Sequence, residues 1–249
     1  MNRIVRPMHR YGDAEFDQDY LRWGFHDRPT QLKEAESVLK IAAGRTPLKI
    51  LDLACGIGTH ALCWARHGHA VTGVDISATF IAQANAAARD ENIAASFVVA
   101  DIRTLPYRHC FDLVCWIENS FFDAQMAAAI RGCLVPGGQF IMDVRNPDHE
   151  RTRQRSSNWR TWREENGVYH LERHETDPAT GLHEDVWITI DTVSGQIKEE
   201  SSGKTRPLTL SDKIGLLKAA GFPDVQLRTM DGDIFQGGAE PYWLWLVAQ

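Results

Sequence analysis

A short apolar strand that runs into paired glycines, and from there into a helix, constrains this chain more than any other feature. The stretch is Lys49-Ile50-Leu51-Asp52-Leu53-Ala54-Cys55-Gly56-Ile57-Gly58-Thr59-His60. Ile50, Leu51 and Leu53 supply the strand, and Ala61, Leu62, Trp64 and Ala65 follow at helical spacing. A second apolar run, Ala70-Val71-Thr72-Gly73-Val74, ends in Asp75. Strand, glycine turn, helix, strand and terminal acid together make a βαβ nucleotide-binding unit. Gly56 and Gly58 let the backbone turn tightly and lie against a ligand with no Cβ in the way. The helix behind them offers unpaired N–H groups, and an acid at the end of the second strand is placed to hold a ribose diol.

The alternation continues downstream. Ser77 is a good N-cap for a helix through Phe80, Ile81, Ala84 and Ala87. Ser96-Phe97-Val98-Val99-Ala100 makes a third strand that ends in Asp101-Ile102. Phe111-Asp112-Leu113-Val114-Cys115-Trp116-Ile117 makes a fourth, apolar as a doubly covered parallel strand should be. A helix over residues 123–134 leads to a turn at Pro136-Gly137-Gly138 and a fifth strand, Gln139 to Val144. Near residue 150 the pattern changes. Residues 151–157 are polar and basic, and from Trp159 to Leu210 the period becomes two, as in Val168-Tyr169-His170-Leu171-Glu172 and Val186-Trp187-Ile188-Thr189-Ile190. Turns fall at Asp177 to Gly181 and at Ser194-Gly195. Thr209-Leu210-Ser211-Asp212 then opens a helix that Gly221 stops, and Val225 to Leu227 and Tyr242 to Val247 give two last strands.

Upstream, residues 11–28 mix Tyr11, Phe16, Tyr20, Trp23 and Phe25 with Asp13, Glu15, Asp17 and Asp19, which reads as a short helix packed over something. A longer helix starts at Pro29 and carries Leu32, Ala35, Val38, Leu39 and Ala42 at helical spacing. The expected class is α/β: a Rossmann-like, doubly wound, seven-stranded sheet from residues 48–150 and 207–249, with right-handed crossovers. An N-terminal helical cover spans 1–47, and an antiparallel β insertion over 151–206 stands on the ligand edge of the sheet.

Composition removes several function classes. The 249 residues carry a formal net charge of −6, so there is no electrostatic footprint for nucleic acid or an anionic membrane surface. No run approaches a membrane span, and Met1 to Pro7 lacks the apolar core of a signal peptide. Five cysteines, an odd number without metal-like pairing, read as buried free thiols in a reducing cytoplasm. The expected partner is a small-molecule substrate, the expected state a monomer or homodimer, and no metal site is expected.

The glycine pattern also fits dinucleotide binding, and three features separate the readings. Asp52 lies just before the glycines, where it would repel a pyrophosphate but accept an ammonium group or a water network. Asp101-Ile102 ends the third strand, where an acid can accept from an adenine amino group. Pro136-Gly137-Gly138 leads into the fifth strand. In this order and spacing the set resembles the class I S-adenosylmethionine-dependent methyltransferases, over about residues 48–145 and 207–249. The layout as a whole resembles small-molecule methyltransferases that have a helical cover and an antiparallel insertion.

The resemblance implies a cofactor, S-adenosylmethionine, and roles at the matching positions. Asp52, Ala54, Gly56 and Gly58 would line its methionine part. Asp75 would bind both ribose hydroxyls, with Ile76 beside the adenine, and Asp101 and the Ile102 backbone would read the adenine edge. Trp116 and Ile117 would sit near the sulfonium. Tyr20 and Trp23 either close over the cofactor or simply pack. Substrate contacts are sought after the fourth strand, at Glu118-Asn119-Ser120-Phe121, after the fifth, and on the meander. Neither the Asp/Asn-Pro-Pro-aromatic motif of adenine methyltransferases nor a Pro-Cys dipeptide is present. Glu118, Asn119, Arg145 and His174 are the candidate catalytic residues. Arg145 holds a substrate carboxylate or, equally, caps a helix or pairs with an acid. His170, Glu172 and His174 share one strand face, which is either a metal or base site or a solvated surface.

The implied reaction is methyl transfer to an N, O or C atom of a small molecule by in-line displacement. A different use of the same cofactor, such as cyclisation, and a binding module without turnover both remain open. A nicotinamide oxidoreductase stands behind these because of Asp52.

Overall fold

Strands that are apolar on both sides need helices on both faces, and the main sheet is covered in that way. The computed structural model describes residues 3–7, 11–23, 28–42, 47–118, 122–147, 160–165, 167–177, 180–201 and 203–249. The first half comprises β1 (Arg3–Pro7), α1 (Ala14–Trp23), α2 (Arg28–Ile41), β2 (Lys49–Leu53), α3 (Thr59–Arg66), β3 (Ala70–Asp75), α4 (Ala78–Asp90), β4 (Ala95–Val99) and β5 (Phe111–Trp116). The second half comprises α5 (Ala124–Cys133), β6 (Leu134–Arg145), β7 (Arg160–Glu165), β8 (Val168–Thr176), β9 (His183–Asp191), β10 (Gln196–Ser201), α6 (Leu210–Ala219), β11 (Val225–Arg228) and β12 (Trp243–Ala248).

Seven of these strands form the expected doubly wound sheet, in the order β11-β12-β6-β5-β2-β3-β4. Strands β2 to β6 pair in parallel, and β12 runs antiparallel to both β6 and β11. The chain order reverses between β2 and β5, and in open α/β sheets ligands bind outside the carboxyl ends of the strands at such a switch point. One expected boundary moves. Pro136-Gly137-Gly138 is not a turn ahead of the strand: β6 begins at Leu134 and runs through it, with a register shift against β5 between Phe111 and Leu113. Gly137 takes φ +73°, so the irregularity is absorbed as a bulge inside the strand.

Side chains alternate between two cores. Leu51, Leu53, Val114, Trp116, Phe140, Met142, Leu244 and Leu246 face α5 and α6. Ile50, Leu113, Cys115, Ile141, Trp245 and Val247 face α2 and α3. Asp52 falls between Leu51 and Leu53, so the pleat directs it to the face of α2 and α3. Two indoles fasten α2 to that face. Trp64 Nε1 donates to the Ala35 carbonyl at 2.9 Å, and Trp245 Nε1 donates to Ser37 Oγ at 2.8 Å. Ser37 in turn donates to the Met230 carbonyl. The expected caps form as well: Ser77 Oγ accepts from the Phe80 amide at 3.0 Å, and Thr209 and Asp212 close a capping box on α6. All five cysteines are free, four of them buried.

Residues 26–152 and 208–249 cluster as the unit that holds this sheet, and residues 1–25 and 153–207 cluster as a second unit. In the second unit β7, β8, β9 and β10 form an antiparallel meander, joined at its edge by β1, which pairs with β10 in parallel. Strand β1 is absent from the sequence reading, because a five-residue strand at a chain start carries too little pattern. Helix α1 forms in the same unit, where Lys198 Nζ meets Glu15 Oε1 at 3.3 Å and Tyr11, Phe16 and Tyr20 pack ring against ring. The helices expected to form one cover over 1–47 are therefore divided, α1 clustering with the meander and α2 with the main sheet.

Trp245 is fully buried and joins β12 to α2. Trp245→Ala is expected to lower the unfolding free energy by about 3–5 kcal/mol, from lost burial and an uncollapsed cavity. Urea denaturation followed by circular dichroism measures it, and a loss below 1 kcal/mol contradicts the assigned packing.

Candidate active site

Three left-handed residues in five build the loop after β2. Ala54 has φ +50°, Gly56 +53° and Gly58 +84°. Left-handed backbone carries no Cβ penalty for glycine, which is why two of the three positions are glycine. The two glycines differ in what their missing Cβ leaves. At Gly56 a Cβ would meet nothing within 4 Å, so the loop is open there. At Gly58 it would meet the Phe97 ring at 2.8 Å, so that glycine makes room for the protein's own core.

Asp75 is tied into this loop. Its Oδ2 accepts from the Gly56 amide at 2.9 Å and its Oδ1 from the Ser77 amide at 2.8 Å. The two bonds fix the Asp75 carboxylate at the carboxyl end of β3, against the glycine loop. Ile76, the next residue, is 48% exposed beside the loop. Asp101 ends the next strand and caps a turn of 3-10 helix, Ile102–Thr104, accepting from the Arg103 amide at 2.8 Å. Asp75, Ile76, Asp101 and Ile102 thus follow adjacent parallel strands at their carboxyl ends.

Asp52 has the most unusual environment. It is 2% exposed, and its Oδ2 has no hydrogen-bond partner among the described residues. Burial pushes its carboxyl up to about 7, with Asp75 adding to the rise, while the His60 charge and the Ala61 amide oppose it. A cationic group from a ligand is what such a carboxylate lacks, and a pyrophosphate is what it excludes. The residues present therefore fit S-adenosylmethionine: a carboxylate for an ammonium group, a tethered acid for a diol, an apolar cover and a capping acid for an adenine.

Around Asp52 lies a group of residues that the motif reading passed over. His60, buried on the first turn of α3, lies with Nε2 3.1 Å from Glu34 Oε2 on α2. Burial alone would depress the His60 imidazolium, but the bond to Glu34 and the charges of Asp52, Glu34 and Glu118 outweigh it and raise its pKa. Glu118 follows β5 with φ +59°, a strained conformation for glutamate. It keeps contact with solvent, yet its carboxyl is pushed up to about 7 by the protein packed around it and by Glu34, with Asp143 adding. His60 and a hydrogen bond from the Gln31 side chain act in the other direction. Gln31 is the one visible signal in the sequence, since it interrupts the apolar stripe of Ala35, Val38 and Ala42 at helical spacing.

The remaining candidates fall as follows. Trp116 is buried against Phe122, with ring centroids 6.0 Å apart, and Ile117 is buried in the opposite core. Arg145 is exposed and stands 5.7 Å over the Trp243 ring, and its charge, with burial, lowers the Lys213 pKa against the effect of Asp143. Asn119 lies outside the described residues. Tyr20, Trp23 and His174 belong to the second unit, where Tyr20 packs among aromatics and His174 pairs with Asp185 across β8 and β9. The side chains of Trp23 and His174 lie outside what is described. His170 Nδ1 meets Thr189 Oγ1 at 3.2 Å. No group of three or more metal-ligating side chains occurs among the described residues.

Comparison with known proteins follows the same outline. Residues 50–138 match a protein family described as a methyltransferase domain. The chain is 34% identical over 111 residues, 42% of its length, to the cypemycin N-terminal methyltransferase of a Streptomyces species, covering 43% of that protein. It thus spans less than half the length of the first curated relatives it matches. Among solved structures, the CcbJ methyltransferase of Streptomyces caelestis superposes with a TM-score of 0.70 at 20% identity, covering 89% of each chain. CalS10, an amino pentose methyltransferase of Micromonospora echinaspora solved with S-adenosylmethionine bound, gives 0.62 at 21% identity and covers 98% of this chain and 99% of its own. These structures share the fold.

The raised Asp52 pKa has a consequence for stability. An acid that is harder to ionise when folded destabilises the fold as pH rises from its unfolded value, near 4, through about 7. Asp52→Asn is therefore expected to raise the melting temperature of the ligand-free protein at pH 8 and change it little near pH 4. The same variant is expected to lose S-adenosylhomocysteine binding by calorimetry. Equal melting shifts at both pH values contradict the assignment.

Proposed function

We propose that the chain carries a class I S-adenosylmethionine-dependent methyltransferase domain and moves a methyl group from S-adenosylmethionine to an N, O or C atom of a small molecule. The observation that carries this reading is the buried, unanswered oxygen of Asp52 beside the open glycine loop, at the switch point of the sheet. When bound, the cofactor supplies an electrophilic methyl carbon: the bond from the acceptor forms as the sulfur–carbon bond breaks, sulfur leaves as a neutral thioether, and the acceptor loses its proton.

In this reading Asp52 holds the ammonium group, while the loop of Ala54, Gly56 and Gly58 lies along the methionine part. Asp75 takes the ribose hydroxyls, Ile76 covers the adenine, and Asp101 with the Ile102 amide reads its edge. Trp116 and Ile117 form the apolar strand end behind the reacting centre. Alignment of the acceptor accounts for most of the rate, since orientation alone is worth several kcal/mol. Glu118, beside this centre, takes the proton from an acceptor that arrives protonated. Arg145, paired with Trp243, is placed to meet an acidic or flat part of the acceptor. A net charge of −6 supports a small molecule rather than nucleic acid, and free cysteines support a reducing cytoplasm.

Asp75→Ala is expected to weaken S-adenosylmethionine binding at least about tenfold, the loss of one or two charge-assisted hydrogen bonds. Incubation with methyl-labelled cofactor and a metabolite extract, read by mass spectrometry, is expected to give a product heavier by one methyl group. A product derived from the rest of the cofactor, or none despite tight binding, overturns methyl transfer.

A further inference from the structure

The five cysteines divide between the two cores of the main sheet. Cys55, Cys63 and Cys115 are buried on the face of α2 and α3. Cys133 lies in the core on the face of α5 and α6, and Cys110 packs against that same core. Cys110 immediately precedes β5, and Cys133 ends α5 immediately before β6. Both therefore stand at the amino ends of adjacent parallel strands, at the edge of the sheet opposite Asp75 and Asp101.

The two residues are in direct contact. The Cys110 amide donates to the Cys133 carbonyl at 2.9 Å, and Phe111 lies opposite Leu134 one step further on. Residues joined across neighbouring strands in this way have Cα atoms about 5–6 Å apart, inside the range that a disulfide bridges. The Cys133 thiol is also directed toward its neighbour. Its Sγ donates to the Tyr107 carbonyl at 3.8 Å, in the segment that leads to Cys110.

We propose that Cys110 and Cys133 form a dithiol site that low-molecular-weight disulfides convert into an intramolecular disulfide. Exposure sets the order of events. Cys110 is half-buried and meets the incoming disulfide, whereas Cys133 is fully buried. The Cys110 thiolate attacks one sulfur of the small disulfide and expels the other as a thiol, leaving a mixed disulfide on Cys110. Cys133 then attacks the Cys110 sulfur, the second small thiol leaves, and the Sγ–Sγ bond closes. The protein dithiol loses two electrons and two protons, and the small disulfide gains both pairs as two thiols. Burial pushes the Cys133 thiol up to about 11, with Cys110 adding and Arg108 opposing. It is therefore a poor first nucleophile and reacts once the mixed disulfide is held beside it. The bond ties the start of β5 to the start of β6 and leaves the glycine loop, at the other edge of the sheet, untouched. A transient disulfide of this kind is compatible with a reducing compartment.

The test exposes the reduced full chain to oxidised glutathione at pH 8, alkylates the remaining thiols and maps the peptides by mass spectrometry. One disulfide is expected, Cys110–Cys133, with Cys55, Cys63 and Cys115 alkylated, and dithiothreitol is expected to reverse it. In Cys133→Ser the reaction is expected to stop at a glutathione adduct on Cys110, and in Cys110→Ser no adduct is expected. Alkylation of all the cysteines, a lasting adduct on Cys110 of the unaltered chain, or a bridge to any other cysteine overturns the proposal. Circular dichroism follows the fold throughout, and a bridge that forms only as the signal is lost overturns it as well. Cys133→Ala replaces Cys133→Ser if that variant does not fold.

Discussion

A carboxylate buried at the carboxyl end of a central strand has to be answered by something, and in this protein the answer is incomplete. Strand β2 lies between β3 and β5, so water reaches Asp52 from neither side of the sheet. The Ala61 amide and the charge of His60 meet part of its need. They cannot meet all of it, because Oδ2 has no donor. The left-handed loop, the tethering of Asp75 to Gly56 and the seating of α2 over α3 all hold the chain around that deficit. A ligand that brings a positive group is then stabilised by what destabilises the empty protein, as buried unpaired polar groups are costly until a partner arrives.

Much of this site was legible because its residues stand where a pattern stops. Asp52, Asp75 and Asp101 each interrupt or end an apolar strand. Alternation with helices made a parallel, doubly wound sheet readable from β2 to β6. The Pro136-Gly137-Gly138 segment misled for a local reason: turn residues and bulge residues are the same residues, and only the partner strand distinguishes them.

Glu34, His60 and Asp143 were not legible, and the cause is geometric. A charged residue on a helix or at a strand end looks solvated until the neighbouring element is placed. Glu34 sits one position before Ala35, on the flank of a buried stripe, so its spacing resembles that of a water-facing residue. His60 follows the glycine loop by two residues and reads as the polar start of a helix. Only the docking of α2 on α3, fixed by the Trp64 and Trp245 indoles, brings Glu34 and His60 together.

The parallel pairing of β1 with β10 has an implication for how the molecule is made. Arg3 lies opposite Ile197 and Pro7 opposite Ser201, so β1 waits for a strand made much later to complete its ladder. The meander strands β7 to β10 close local hairpins and can form in sequence, whereas β1 must hold its place through synthesis of most of the chain. Strands β2 to β6 are all made before β10 exists, so the order of synthesis favours their pairing first. Strand β1, although made before them, is a late arrival in the fold.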